Sequence, residues 1–317
     1  MPERRPFGRS GLEISPITLG GNVFGWSADE DASFAVLDAY VEAGGNAVDT
    51  ANTYSAWVPG NRGGESEVII GRWLAARGGP GDVVVATKVG MAGGEQPAGL
   101  GRDRILRAAE GSLERLGVER IALYYAHEDD PATPLEETLG AFDELVRQGL
   151  VGAIAASNYS GPRLAEALAV SEREGLVRFE GLQQRFNLLS RDDLEPGAGD
   201  VCRREGLGIA AYSSLARGFL SGKYRRGRPL PASARAAGVA ASYLDDRGFA
   251  ALEAVDAVAA AHGATPSQVA LAWILARPGM TTALAGANTP GQVRELMGAL
   301  DLRLTGDELA RLDDAGG

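Results

Sequence analysis

The sequence predicts an α/β fold: a (β/α)8 TIM barrel with an N-terminal β-hairpin, a long loop after strand 7 and extra C-terminal helices. Three observations carry this. The chain of 317 residues repeats one unit, a short apolar run followed by a loop and a segment of helical period. Several runs, such as Val83-Val84-Val85-Ala86, lack apolar/polar alternation, which is how strands buried on both faces of a parallel sheet read. Eight such units can be placed along the chain, and eight βα units close a barrel.

Strands are expected at 17–21, 46–50, 82–88, 121–126, 151–157, 181–185, 208–212 and 282–286. Helical spacing recurs between them, in Ile105, Ala109, Leu113 and Leu116 and again in Leu135, Leu139, Phe142 and Val146. Three helix starts read as capping boxes with proline in the first position: Thr133-Pro134-Leu135-Glu136, Thr265-Pro266-Ser267-Gln268 and Thr289-Pro290-Gly291-Gln292. Gly149, Gly175 and Gly206 follow helical segments and suit C-terminal caps. Residues 4–14, with a Ser10-Gly11 turn, suit a hairpin closing the barrel bottom. Segments 248–262 and 306–314 are expected as additional helices, and 213–247 as a long irregular loop. No linker stands out, so residues 1–317 read as one domain.

Composition narrows the function. The net charge of −11 argues against nucleic acid or an anionic membrane as partner. The basic start Met1-Pro-Glu-Arg-Arg-Pro is followed by no apolar run, so no signal peptide is expected. A single cysteine, Cys202, excludes an internal disulfide and fits a reducing compartment. With only His127 and His262, a multi-histidine metal site is not expected. His262 precedes Gly263 at a helix end, where it favours the dipole.

Active sites of such barrels lie at the C-terminal ends of the strands. Asp49, Lys88 and His127 fall at such ends, and Tyr54 lies just past one. A free tyrosine titrates at about 10, too high for an efficient acid near neutrality. A neighbouring lysine cation is expected to lower that value, with a carboxylate holding the lysine in place. A histidine beside them could orient a substrate oxygen. Together the four suit protonation of a carbonyl oxygen or the reverse. The structural alternatives are a buried Asp49–Lys88 ion pair, a loop tyrosine and a packed rim histidine. A carboxylate pair of Asp49 and Glu128 in a hydrolase is a further alternative. The chain contains no G-x-G-x-x-G after a strand, no G-x-x-x-x-G-K-[ST] and no G-x-S-x-G.

With these residues in place, the sequence resembles the aldo-keto reductases along nearly its whole length. The resemblance rests on Leu12-Glu13-Ile14-Ser15-Pro16 with Leu19-Gly20, on Asp49 and Tyr54, on Gly64-Glu65-Ser66-Glu67-Val68-Ile69-Ile70-Gly71, on Lys88 and on His127. It continues through Ser157-Asn158, Gln183, Ala211-Tyr212-Ser213, Leu215, Gly218, Leu220 and Lys223. It implies a cytoplasmic, NAD(P)H-dependent carbonyl reductase with Tyr54 as general acid, Lys88 and Asp49 tuning it and His127 orienting the carbonyl. It implies a nucleotide held by Gly21, Asn22 and Asp49, with Ser157, Asn158 and Gln183 on the carboxamide and Tyr212 against the nicotinamide. Ser213, Leu215, Gly218 and Lys223 would face the pyrophosphate, and Gly286, Asn288, Gln292 and Glu295 the adenosine end.

NADP(H) is expected in preference to NAD(H), by a margin narrowed because Asn288 stands where many members carry arginine. Lys223, Arg225 or Arg226 could compensate. Leu296 also replaces a common asparagine, and Gln292 has a competing role in its capping box. Phe24, Trp26 and Trp57 are expected at an apolar substrate pocket. The expected partner is a small-molecule carbonyl substrate, the expected state a monomer or small homo-oligomer. A regulatory nucleotide-binding subunit of the same fold, with little turnover, is the second reading.

Overall fold

The structure is a computed structural model that describes residues 3–317. A short antiparallel hairpin comes first, β1 (Arg5–Pro6) with β2 (Glu13–Ile14). Eight parallel strands follow: β3 (Ile17–Gly20), β4 (Ala47–Asp49), β5 (Val84–Val89), β6 (Ile121–Ala126), β7 (Val151–Ser157), β8 (Phe179–Arg185), β9 (Gly208–Tyr212) and β10 (Met280–Ala285). They close in that order, β10 pairing β3, into a barrel. The expected (β/α)8 architecture and its hairpin are what the chain forms.

Among the described residues, eight helices flank these strands and three are additional. The flanking ones are α1 (Glu30–Glu42), α2 (Glu65–Ala76), α3 (Arg102–Leu116), α4 (Leu135–Arg147), α5 (Gly161–Glu174), α6 (Ala198–Glu205), α9 (Pro266–Leu275) and α10 (Pro290–Met297). The additional ones are α7 (Ala236–Tyr243), α8 (Asp246–His262) and α11 (Gly306–Gly316). Helix α7 lies inside the segment expected to be irregular. Its Ala-rich stretch favours a helix, but only Val239 is buried there, so no apolar stripe announces it.

Local chemistry explains the ends. Thr265 and Gln268 form the expected reciprocal box at α9. At α10 the Thr289 hydroxyl caps Gln292 N–H, but the Gln292 side chain accepts from Asn288 N–H, one residue earlier than a box requires. At α4 the expected box is absent. Thr133 instead donates its hydroxyl to Asp130, 2.6 Å away, and the helix begins at Leu135 behind Pro134. Gly175 and Gly206 cap α5 and α6 in the left-handed conformation.

Two apolar layers build the core. The larger fills the space between strands and helices. The smaller lies inside the barrel; half of it is alanine, Ala47, Ala86, Ala153, Ala155 and Ala210, and the rest includes Leu123, Tyr125 and Phe7. Phe7 reaches in from the hairpin and plugs the lower end. A β-carbon on Gly181 would come within 2.2 Å of its ring, and one on Gly208 within 2.7 Å. Those glycines sit near the starts of β8 and β9 because the ring occupies the room their side chains would need. The barrel is therefore sealed below and open above, where the functional side chains gather.

Candidate active site

Strand register brings the central residues together. Asp49 is level with Ala86, and Lys88 follows two residues later on the same face. Lys88 in turn is level with Tyr125, and His127 follows two residues after that. Asp49 and Lys88 are all but inaccessible, with side chains 2% and 0% exposed.

The Lys88 ammonium has three donors and three acceptors. It reaches Asp49 Oδ2 at 2.6 Å, the Thr50 carbonyl at 2.7 Å and Tyr54 Oη at 3.0 Å. The Tyr54 hydroxyl itself donates to Asp49 Oδ2 at 3.2 Å. Gln183 Nε2 donates to the other oxygen of Asp49 at 2.8 Å. The carboxylate is thus held from three sides, which is how a buried charge is tolerated. The His127 ring stands edge-on to Tyr54, centroids 6.1 Å apart.

The electrostatics depart from expectation at one point. Tyr54 does not have a lowered pKa; burial first, and then the Asp49 carboxylate, push it well above its usual value. Asp49 sits beside both the lysine and the phenol, so the pair presents the hydroxyl with little net positive charge. Burial also pulls Lys88 down, opposed by Asp49. His127 is held well below its usual value by burial and then by the Lys88 charge, so it is neutral at pH 7. Its Nδ1 is buried with no hydrogen-bond partner among the described residues.

Beside this group lies a chain of polar side chains. Ser157 is level with Gln183 across the β7–β8 pair. Asn158 has a left-handed backbone, φ 57°, which asparagine tolerates better than most residues. Its amide donates to the His127 carbonyl at 2.8 Å and to Ser157 Oγ at 3.1 Å, and its oxygen accepts from the Tyr212 hydroxyl at 2.8 Å. Ser213 and Arg217, also left-handed, begin the segment after β9. Such backbone in non-glycine residues collects at functional sites.

All of this opens on one cavity of about 1210 Å3. Its wall includes Asp49, Tyr54, His127, Trp26 and Trp57. It continues along Asn22, Ser157, Asn158, Gln183, Tyr212, Ser213, Leu215, Gly218 and Lys223. The far end is Gly286, Asn288, Gln292 and Glu295. There Asn288 accepts from Ser27 Oγ at 2.9 Å, and Glu295 accepts from Thr265 Oγ1 at 2.8 Å.

Several residues singled out in the sequence are not on this wall. Lys88 lies behind Asp49 and Tyr54. Phe24, expected at the substrate pocket, is wholly buried in the outer core. Gly21 is buried as well, and its part is close packing: a β-carbon there would lie 2.9 Å from Ser66 Oγ and 3.0 Å from the Asp49 carbonyl. Arg225 and Arg226 are also off the wall, paired with Asp256 and Asp246. Sequence reasoning missed Arg217 and Arg235, which do line the cavity.

The residues present fit a dinucleotide in kind. The cavity exceeds the roughly 300–1,000 Å3 usual for drug-sized ligands. Its wall offers cations at Arg217 and Lys223 for phosphates and neutral amides at Asn158 and Gln183.

Comparison with known proteins agrees with this geometry. A sequence model described as the aldo/keto reductase family matches residues 16–316. An uncharacterized oxidoreductase of Bacillus subtilis, YrpG, is 36% identical over 320 residues, covering 97% of this chain and 94% of the relative. A probable voltage-gated potassium channel subunit beta of Oryza sativa subsp. japonica is 33% identical over 303 residues, covering 93% and 90%.

Proposed function

The chain belongs to the aldo/keto reductase family, and from that premise we propose that it reduces aldehyde or ketone groups to alcohols with a nicotinamide cofactor. The observation that carries the reading is the Tyr54 hydroxyl, fixed by Lys88 and Asp49 on the cavity wall beside a neutral His127. A bound reduced nicotinamide would supply the hydride. Tyr54 would give its proton to the substrate's carbonyl oxygen as the alkoxide forms there, and regain one from solvent. A pKa raised by burial keeps that proton in place through neutral pH. The developing phenolate would face Lys88, so the lysine acts chiefly once charge has moved onto Tyr54. His127, neutral, would orient the carbonyl by a hydrogen bond.

The nucleotide would lie along Ser157, Asn158, Gln183 and Tyr212 toward Asn288 and Glu295, with Arg217 and Lys223 on its phosphates. NADPH would be preferred over NADH by a narrow margin, because Asn288 offers the 2′-phosphate no charge. A cytosolic place and a single domain are part of the same reading. Glu128 is absent from the cavity wall, which speaks against a carboxylate-pair hydrolase.

A regulatory subunit with little turnover is the second reading, favoured by the likeness to the rice channel subunit. Consumption of NADPH and NADH by purified protein with a panel of aldehydes separates the two. Turnover with several aldehydes supports the reductase. Nucleotide binding without turnover supports the regulatory subunit.

A further inference from the structure

The Asp49–Lys88 pair is gripped from behind, through the barrel wall. Asp49 and Lys88 point into the barrel. By the alternation of a strand, Thr50 after the one and Thr87 before the other point out, towards α2. Both threonines are wholly buried. Consecutive residues in the first turn of α2 hold them. Thr50 Oγ1 donates to Ser66 Oγ at 2.8 Å, and Thr87 Oγ1 donates to Glu67 Oε1 at 2.5 Å. Ser66 gives its own proton to the Gly21 carbonyl at 2.8 Å, so Thr50 is the donor between the two hydroxyls.

This grip leads directly to the ammonium. The Thr50 carbonyl is one of the three acceptors of Lys88, at 2.7 Å. Thr50 N–H stays in the ladder with the Ala86 carbonyl at 2.8 Å. Side chain, amide and carbonyl of this one residue are therefore all committed. With Thr87 held next to Lys88, the two strands that carry the pair are tied to one helix at the level of the pair.

Glu67 is a second carboxylate behind Lys88. Its side chain is wholly buried, and its other oxygen accepts from Arg115 Nε of α3 at 2.7 Å. Glycines make room for that contact: a β-carbon on Gly64 would lie 2.5 Å from Arg115 Nε, and one on Gly71 2.2 Å from the Arg115 carbonyl. A buried ion pair is a weak source of stability by itself, so its hold on Thr87 calls for another account. Glu67 joins Asp49 in favouring the charged form of Lys88 against burial. The groups facing the ammonium are Asp49 and Tyr54 from β4 and its loop, Tyr125 and His127 from β6, and Glu67 from α2, backed by Arg115 from α3.

We propose that Ser66 and Glu67 are positioning residues: from outside the barrel, through Thr50 and Thr87, they set the place of the Lys88 ammonium against the Tyr54 hydroxyl. The inference rests on the reductase reading for its effect on turnover, and not for its effect on Lys88.

Thr50→Val and Thr87→Val delete the gripped hydroxyls with little change of volume and none of charge. Each is expected to lower kcat for aldehyde reduction by roughly 10- to 100-fold while KM for the nucleotide stays near that of the wild type. Thr50→Ser and Thr87→Ser should recover most of the loss. Glu67→Gln keeps an acceptor for Thr87 and removes the charge. The chain has two lysines, Lys88 and Lys223. Protein labelled with carbon-13 at the lysine ε-carbon therefore gives two NMR signals, and Lys223→Arg leaves that of Lys88 alone. Its titration midpoint is expected about one pH unit lower in Glu67→Gln, with the alkaline limb of kcat moving down beside it. Valine variants within about twofold of the wild type overturn the inference. So do losses that serine does not recover, and a Lys88 midpoint that Glu67→Gln leaves in place. The valine variants stay readable even where Glu67→Gln does not fold. A protein that reduces no aldehyde, but whose Lys88 midpoint falls in Glu67→Gln, defeats the reductase reading and leaves the positioning of Lys88 standing.

Discussion

The Lys88 ammonium lies 2.6 Å from Asp49 and 3.0 Å from Tyr54, so the carboxylate has the shorter hold on it. A lysine engaged this way does little to acidify a resting phenol. Its effect grows when the phenol becomes a phenolate and competes with Asp49 for the same cation. On the proposed reading the pair is at once a structural ion pair and a reserve of charge for Tyr54.

Breaking the pair should show both roles. Lys88→Met leaves Asp49 buried without its cation, and a loss of about 3–5 kcal/mol in unfolding free energy is expected. Adding Asp49→Asn removes the stranded charge and should recover most of that stability. Reductase activity should stay lost in the double variant. Denaturant melts of the four proteins in the cycle measure the coupling. Strict additivity would mean that the two groups do not depend on each other.

Tyr54→Phe should lower carbonyl reduction by roughly 100-fold or more, the usual worth of a positioned acid. Nucleotide binding, followed by fluorescence, should change little. Activity within tenfold of the wild type would take the acid role away from Tyr54.

Acid should destabilise the protein through His127. Burial and Lys88 hold its pKa well below the ordinary 6.5. Below about pH 6.5 the unfolded chain takes up a proton that the folded one refuses, so stability falls as pH drops through that range. One such group gives a slope approaching about 1.4 kcal/mol per pH unit. His127→Gln should flatten the slope between pH 6.5 and 5.5, measured by urea unfolding against the wild type. An unchanged slope would mean that His127 protonates freely in the fold.

Asn288→Arg should tighten NADPH and leave NADH almost unchanged. The side chain it replaces is half-buried, and its oxygen accepts from Ser27 Oγ. A charged hydrogen bond is worth about 1.5–3 kcal/mol against about 0.5–1.5 for a neutral one. Dissociation constants of both nucleotides for both proteins decide it. Equal tightening of the two would move residue 288 away from the 2′ position.

The barrel was legible in the sequence because parallel strands buried on both faces leave unalternated runs, and eight of those are hard to place otherwise. The grouping of Asp49, Tyr54, Lys88 and His127 was legible because strand ends converge once a barrel closes. What the sequence hid was which members of an Arg-rich segment turn inward. Arg225 and Arg226 find carboxylates outside, while Arg217 and Arg235 do not, and that depends on where α8 and the Trp26 loop lie. Phe24 was misplaced for a related reason. It stands two residues from Trp26, yet one ring faces the outer core and the other the cavity. The start of α4 was misread because Asp130 competes for the Thr133 hydroxyl, a contest that capping patterns do not weigh.

The plug formed by Phe7 has a bearing on how the chain is made. Arg9 N–H, just past that ring, bonds the Glu180 carboxylate across a sequence separation of 171 residues, and the ring itself rests on Gly181 and Gly208. At translation rates of about 5–20 residues per second, that partner surface leaves the ribosome roughly 10–40 s after Phe7 does. Through that interval Phe7 lacks the glycine surface it rests on in the fold. Contacts this distant also slow the search for the native state once synthesis ends. The hairpin that closes the finished barrel at its base can therefore dock only after β8 and β9 have been made.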